Sequence, residues 1–421
     1  MKQKLNKLDL TLYSETLDNG LQVYVVPKET HNIYATFTTK YGSMTNEFIP
    51  IGEEKYKKYP DGIAHFLEHK VFEQEEGEDP FAFYEKRGAS SNASTTNEKT
   101  TYLFSGTSSF KENLNYLLDF VGNPYFTEEN VEKEKGIIKE ELDMYQDDPY
   151  TVLYEKSLFN TFQKHAIRIP IGGTTESIKK ITKDMLYECY NTFYHPSNMF
   201  LVVTGNVDPE EVFEIVKENQ KQKKYEKMSK IKIKNPNEPD EVYKKKEIIS
   251  FDVVKPKVAF NIKVNIENLN YSLFQIRNYL FYYLDLKLGV TSEFAEKLKQ
   301  EGIIHYDLGI NMVQTNKHIT FLILAETDDP EEFIKRIEKE MEDKKVLEQD
   351  FERKKKALIT SYIAMSDNIY SLNSKIVNNL IRYNEVYTDD FSMIKTLSGK
   401  ECNELLEKVD LSNRSIVIMK K

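Results

Sequence analysis

The sequence predicts an α+β protein built from two homologous halves, and three observations carry that expectation. The first is an internal repeat. Phe81-Ala82-Phe83-Tyr84-Glu85-Lys86-Arg87-Gly88 resembles Phe294-Ala295-Glu296-Lys297-Leu298-Lys299-Gln300-Glu301-Gly302, and Glu128-Glu129-Asn130-Val131-Glu132-Lys133 resembles Glu348-Gln349-Asp350-Phe351-Glu352-Arg353, the latter pair at a constant separation of 220 residues. In both copies the first segment is followed by a strand-like stretch and then by an amphipathic helix. The second is length: 421 residues exceed the size at which one apolar core stops growing, so two or more domains are expected. The third is composition: 40% hydrophobic and 30% charged residues describe a globular chain. The halves are expected at residues 1–217 and 247–421. A linker at 218–246, rich in Lys, Glu, Asn and Pro without a sustained apolar period, is expected to be solvated. The alternative is two α+β domains with coincidentally similar helices, since the matching segments are short.

The elements follow in order. Asp18-Asn19-Gly20 supplies a hairpin turn. A strand is expected over Leu21–Val26 and another over Tyr34–Tyr41, which alternates aromatic or small residues with Thr. Pro60-Asp61-Gly62 interrupts the chain before a helix that contains residues 65–69, with Asp61 as its expected N-cap. Phe81–Arg87 reads as a short helix ended by Gly88, Thr100–Phe104 as a strand, and Leu114–Val121 and Glu128–Met144 as helices. Met199–Thr204, an apolar run closed by Gly205-Asn206, has the pattern of a buried strand.

A net charge of −10 argues against a general nucleic-acid binder. It permits a cavity that attracts basic peptides without locating one. Cys189 and Cys402 are far apart, so a disulfide framework is not expected and both read as buried small hydrophobes in a reducing compartment. Met1 to Asp9 lacks the apolar core of a signal peptide. No apolar run approaches the roughly 18 residues that span a membrane. The expected location is the cytoplasm. Lys244-Lys245-Lys246 reads as a solvated face, and Gly172-Gly173 as a loop without a phosphate-binding pattern.

Residues 65–69, His-Phe-Leu-Glu-His, carry the chemistry. On a helix His65 and His69, four apart, project from one face about one turn from each other, a spacing that suits two nitrogen ligands of one zinc ion. Glu68 lies on the same side, placed to take a proton from an attacking water. The order H-x-x-E-H is the inverse of the commoner H-E-x-x-H. The alternative is a helix with two structural histidines. Catalytic zinc takes three protein ligands, and the helix near Val131–Met144 offers Glu132, Glu134, Glu140, Glu141 and Asp143. Glu134 and Glu141, seven apart, share a face, from which one carboxylate could reach the metal and the other a histidine's free N–H. Glu140 points roughly 100° away. On spacing alone Glu141 stands little above its neighbours.

His65-Phe66-Leu67-Glu68-His69 with Glu134 and Glu141 resembles the pitrilysin/insulinase family of zinc metallopeptidases, as do Gly88-Ala89 to Asn92-Ala93, Thr101-Tyr102, Tyr194-His195-Pro196-Ser197-Asn198-Met199 and Gly205-Asn206. The wording of Ala64 to Glu73 and Phe120–Phe126 is similar to a bacterial branch associated with aminopentanol modification of elongation factor P. The resemblance implies Glu141 as third ligand, Glu134 as supporting acid, Zn²⁺ as cofactor and Glu68 as general base and then acid. It implies a fold of the LuxS/mitochondrial-processing-peptidase type, with an antiparallel sheet covered by helices in each half and the zinc site in the N-terminal one. At offset 220 Glu141 maps to Ser361, so the C-terminal half is expected to lack the metal. Asn92 and Ala93 would present a sheet edge to an extended peptide, although Asn92 also reads as a turn or cap residue. Lys299 and Tyr306 occupy the spacing of a family Arg/Tyr pair. Lys lacks the planar fork of Arg, while Tyr306 can still donate to an oxyanion. Either could equally be a surface residue. His31, His165, His195, His305 and His318 have no ligand-type partner at suitable spacing. The expected activity is zinc-dependent endopeptidase action on peptides or unfolded segments. A homodimer, or a heterodimer with a related chain lacking the zinc ligands, would complete the chamber. The competing reading is a zinc-binding assembly subunit with little activity alone.

Overall fold

In the computed structural model, which describes residues 1–75, 79–223, 225, 228 and 230–421, the Asp18–Gly20 turn closes the first hairpin with Gly20 at φ +91°. In chain order the N-terminal elements are β1 (Lys2–Leu5), β2 (Leu10–Thr16), β3 (Gln22–Pro27), β4 (Ile33–Thr39), β5 (Glu47–Phe48), β6 (Lys57–Lys58), α1 (Ile63–Val71), α2 (Pro80–Glu85), β7 (Ala89–Thr95), β8 (Thr100–Gly106), α3 (Phe110–Gly122), α4 (Glu128–Gln146), α5 (Pro149–Thr161), α6 (Thr175–Ile178), α7 (Lys183–Phe193), β9 (Met199–Gly205) and α8 (Pro209–Lys221). There follow β10 (Lys246–Ser250), β11 (Lys257–Asn265), α9 (Leu273–Leu288), α10 (Glu293–Gln300), β12 (Gly309–Gln314), β13 (His318–Glu326), α11 (Pro330–Glu340), α12 (Glu348–Met365), α13 (Ile369–Tyr383), α14 (Asp390–Thr396), α15 (Gly399–Lys408) and β14 (Arg414–Lys420).

The chain forms two compact units. One comprises Met1–Leu142, Pro170–Asn235 and Ser361–Phe391, the other Asp143–Ile169, Pro236–Thr360 and Ser392–Lys421. The first unit holds a seven-stranded sheet, β1-β2-β3-β9-β4-β8-β7, and the second a five-stranded sheet, β10-β14-β11-β13-β12. Strands β3, β9, β4, β8 and β7 recur in the same spatial order as β10, β14, β11, β13 and β12, so the repeat seen in sequence is a repeat of topology. Both sheets are antiparallel except for one pair each, β3 with β9 and β10 with β14. The expected antiparallel sheets thus each carry one parallel pair. Its strands lie far apart in sequence with helices between them, which is the connection a parallel pairing requires.

In the first unit, one face of the sheet packs on a core that includes Val23, Val25, Ala35, Phe37, Tyr102, Phe104, Leu201 and Val203, with α1, α3, α7 and α8 contributing Phe66, Leu67, Leu117, Phe193 and Val212. Every residue of β9 is buried, as the apolar run at 199–204 implies. The opposite face carries α13, whose Leu372, Ile376, Val377 and Leu380 pack on Val26, Phe200 and Val202. Asn373 fixes the register of that helix: its Oδ1 accepts from Thr36 Oγ1 at 2.7 Å and its Nδ2 donates to the Val202 carbonyl at 3.0 Å. In the second unit, α5 supplies Val152 and Leu153 to a cluster with Ala259, Val417 and Met419. The compact units therefore interleave in sequence, unlike the contiguous ranges 1–217 and 247–421. A helix from the C-terminal half covers the first sheet, and one from the N-terminal half covers the second.

The linker expected at 218–246 is shorter than its composition suggests. Helix α8 runs to Lys221, and residues 224, 226, 227 and 229 lie outside the described residues. The stretch from Pro236 is docked rather than solvated. Buried Glu238 accepts the backbone N–H groups of Gln163, Lys164 and His165 at 2.7–2.8 Å, and pairs with buried Lys263 at 2.7 Å. A carboxylate with this many donors repays its desolvation, so a polar composition did not mean a wet segment. Among the described residues no helix is long and apolar enough to cross a membrane. Both cysteines are free and buried.

His165 beside Glu238 has a consequence for stability. Its Nδ1 accepts from the Ile167 N–H at 3.1 Å, and burial pushes the ring down to about 4, with Glu238 opposing and His318 and Lys263 adding to the shift. The unfolded ring titrates near 6.5. Between the two values the unfolded state takes up the proton, so stability falls as pH drops through this window. Denaturant unfolding at pH 7 and pH 5 should show the wild type losing about 2 kcal/mol more than His165→Asn; parallel pH profiles would contradict it.

Candidate metal centre

Two close backbone approaches place α1. Gly62 precedes the helix at φ +88°, and a Cβ there would stand 2.3 Å from the Gly172 carbonyl oxygen. Gly173, at φ +77°, would meet the Asp61 carbonyl oxygen at 2.4 Å. Only glycine fits either position. The Gly172-Gly173 loop is thus a backbone support for the helix start. Asp61, the expected N-cap, does not cap: the cap residue is Gly62, with no side-chain cap hydrogen bond. The Asp61 carboxylate instead accepts from Asn46 Nδ2 at 2.6 Å.

From that start, Ile63, Phe66, Leu67 and Val71 bury one side of α1, and His65 and His69 project from another with ring centroids 4.6 Å apart. Helix α4 is anchored in the core through Val131 and Ile138. Glu141 Oε1 lies 3.8 Å from His65 Nε2, and Oε2 lies 3.4 Å from His69 Nε2. His65, His69 and Glu141 each offer a donor atom within 4.8 Å of the others, the one such trio of His, Cys, Asp or Glu among the described residues. Two donors on one tetrahedral zinc, each about 2.0–2.2 Å from it, lie roughly 3.3–3.6 Å apart. One observed separation matches this and the other is slightly longer. Glu141 Oε2 is buried without a hydrogen-bond donor, a state that a cation relieves and an apolar pocket does not. The donor set, two imidazoles and a carboxylate, fits a metal of the zinc type.

The electrostatics differ between the two rings. Burial pushes His65 down to about 4, with His69 adding to the shift and the Glu141 and Glu134 carboxylates opposing it. At neutral pH its ring is therefore uncharged and able to donate a lone pair. Burial also works against a charged His69, but the hydrogen bond to Glu134 and the neighbouring carboxylates outweigh it and raise this ring. Glu134 Oε1 stands 3.1 Å from His69 Nδ1. With the proton on Nδ1, the Nε2 lone pair faces Glu141. For Glu134 the contact with His69 overcomes burial and holds the carboxyl below its usual range. Glu132, Glu140 and Asp143 point to solvent.

Glu68 is buried, and burial raises its carboxyl, opposed by the Thr95 hydroxyl and by His69. Thr95 Oγ1 donates to Glu68 Oε2 at 2.5 Å. Thr95 ends β7, so this bond ties the sheet edge to the helix that carries the histidines. Asn92 and Ala93 lie on the same edge strand, not in a turn; Asn92 is exposed, with its Oδ1 accepting from the Ala93 N–H at 2.8 Å. The sequence did not predict the bond from Thr95 to Glu68, nor any role for Lys70. Thr95 follows Asn92-Ala93-Ser94 and had only that proximity as a signal. Lys70 interrupts the apolar face of α1.

The remaining candidates are placed as follows. Lys299, in the last turn of α10, pairs with Asp307, and Tyr306 follows that helix in a loop at 69% exposure, both in the second unit. His305 and His318 pair with Asp328 and Asp240, each at 2.8 Å. His195 bonds Ser197 at 2.8 Å, and His31 is exposed.

Comparison with known proteins agrees with this architecture. Residues 43–175 match the insulinase family, peptidase family M16, and residues 180–358 match the M16 peptidase inactive domain. The chain is 47% identical over 300 residues to an uncharacterized zinc protease, YmfH, of Bacillus subtilis, which covers 71% of this chain and 70% of that one. The crystal structure of an M16-like peptidase from Alicyclobacillus acidocaldarius superposes with a TM-score of 0.93 at 32% identity, covering 99% of this chain and 100% of that one. A protease from Helicobacter pylori shares the fold, with a TM-score of 0.83 at 20% identity over 97% and 99% of the two chains.

Proposed function

The chain belongs to the insulinase family of peptidases, family M16, and on that footing we propose that it is a zinc-dependent endopeptidase whose metal is held by His65, His69 and Glu141. The observation that carries this reading is the convergence of those three donors from two helices, with a buried Glu141 oxygen left without a donor. A curated relative bears the name zinc protease.

When bound, zinc supplies Lewis acidity, which brings a water's pKa towards about 7 and polarises a peptide carbonyl. The protein's own groups do the rest. Glu68 takes the proton of the attacking water on Oε1, since Thr95 occupies Oε2, and passes it to the leaving amine. Its burial keeps that carboxyl above the ordinary range, which suits an acid–base group. Glu134 keeps the His69 proton on Nδ1. An extended substrate pairs with the free edge of β7 at Asn92 and Ala93, which reads backbone rather than sequence. The family resemblance assigns Tyr306 as a hydrogen-bond donor to the developing oxyanion and Lys299 as a substrate contact. We place the chain in the bacterial branch associated with aminopentanol modification of elongation factor P, on the wording of Ala64–Glu73 and Phe120–Phe126. The working form is a homodimer or a heterodimer with a related chain without the ligands.

The Lys299–Asp307 pair favours a second reading, a zinc-binding assembly subunit with little activity alone, because it engages a side chain assigned to substrate. A peptide-cleavage assay separates the two. The enzyme reading expects turnover that a chelator removes and zinc restores, and a lower kcat for Tyr306→Phe. Turnover insensitive to chelator would exclude the metal. Turnover that appears only with a partner chain would favour the subunit.

A further inference from the structure

Helix α1 buries Ile63, Phe66, Leu67, Lys70 and Val71, the i, i+3, i+4, i+7, i+8 stripe of a core-facing helix. Four of the five are apolar. The fifth is a lysine with 0% exposure, beside one of the two histidines. Burying an ammonium costs several kcal/mol unless charged and polar partners compensate, and a Leu or Met would fill the position without that cost. The partners show where the charge is directed. Lys70 Nζ contacts Glu73 Oε2, donates to the Asn130 carbonyl at 3.2 Å and lies 3.8 Å from Glu134 Oε2. Glu134 thus divides its two oxygens, with Oε1 on His69 Nδ1 at 3.1 Å and Oε2 facing the ammonium.

We infer that Lys70 is a positioning residue of the metal centre: its buried ammonium holds the Glu134 carboxylate in place, and through Glu134 it orients the His69 ring so that Nε2 turns toward Glu141. The inference rests on the metal reading above. A carboxylate with a partner on each oxygen holds the ring it faces in one orientation; a carboxylate free to swing would not. A second effect opposes this one, since a nearby cation repels a dication directly. Removing Lys70 therefore weakens zinc binding if it acts through Glu134 and tightens binding if only its charge matters, so the sign of the change decides.

The test is zinc affinity by chelator competition on the full chain, for Lys70→Met in the wild-type and the Glu134→Gln backgrounds. The expected result is a loss of about 10-fold or more in the wild-type background and no further loss when Glu134 is already Gln. Unchanged or tighter binding in the wild-type background overturns the inference, as does an equal loss in both backgrounds, which would make Lys70 a packing residue. Lys70→Gln keeps a donor for the Asn130 carbonyl and is expected to show the same loss, which covers the case in which Lys70→Met does not fold. If the wild-type chain bound no zinc, or His69→Ala bound it normally, the metal reading itself would fail; an effect absent only at Lys70 leaves that reading intact.

Discussion

Glu68→Gln is expected to bind zinc as tightly as the wild type and to lose peptide hydrolysis by about 10²- to 10⁴-fold, the share of a barrier that a positioned acid–base group carries. The substitution keeps shape and burial, and the amide oxygen can still accept from the Thr95 hydroxyl that now bonds Glu68 Oε2. What it removes is the capacity of the other oxygen to take a proton. Because Glu68 is not among the three convergent donors, metal content should not fall. The measurement is zinc per chain beside kcat on one peptide. A variant that retained zinc-dependent turnover near the wild-type rate would remove Glu68 from the chemistry. A variant that lost zinc would make it part of the metal's grip.

His69→Ala is expected to have the larger effect on the metal. It deletes a donor 3.4 Å from Glu141 Oε2 and leaves Glu134 without the ring it holds. The loss of zinc affinity should exceed the roughly 10- to 100-fold typical of an outer partner, and hydrolysis should vanish with the metal. His65→Ala and Glu141→Ala should behave alike, since no fourth ligand-type residue joins the trio among the described residues. Full occupancy in any of the three variants, measured after dialysis against a metal-free buffer, would contradict the assignment. Charge shapes this expectation too. Burial keeps His65 neutral at working pH, so zinc does not displace a proton there.

The sequence was legible where the signal is local. The 220-residue offset predicts a duplicated topology, and the structure has one. His65, Glu68 and His69 lie within one helix, where spacing alone sets their relative positions. Glu141 was a different case. Seven acidic residues crowd α4, and only the meeting of α4 with α1 puts one of them beside both imidazoles, a long-range contact that spacing cannot express. The same limit applies to α5 and α13, whose packing on the two sheets is a long-range contact. Asp61 illustrates a local rule overridden by packing, since the chain needs a left-handed residue at Gly62 to bring its backbone against Gly172. Glu238 illustrates a polar composition that hides a buried network. Lys70 was visible as a charge in an apolar stripe; what it faces was not.

The most direct test is anomalous diffraction at the zinc edge from crystals of the zinc-loaded protein. The account predicts one strong peak bonded to Nε2 of His65, Nε2 of His69 and a carboxylate oxygen of Glu141, each at about 2.0–2.2 Å. A peak elsewhere, or a fully occupied zinc with Glu141 turned away from both rings, would contradict it.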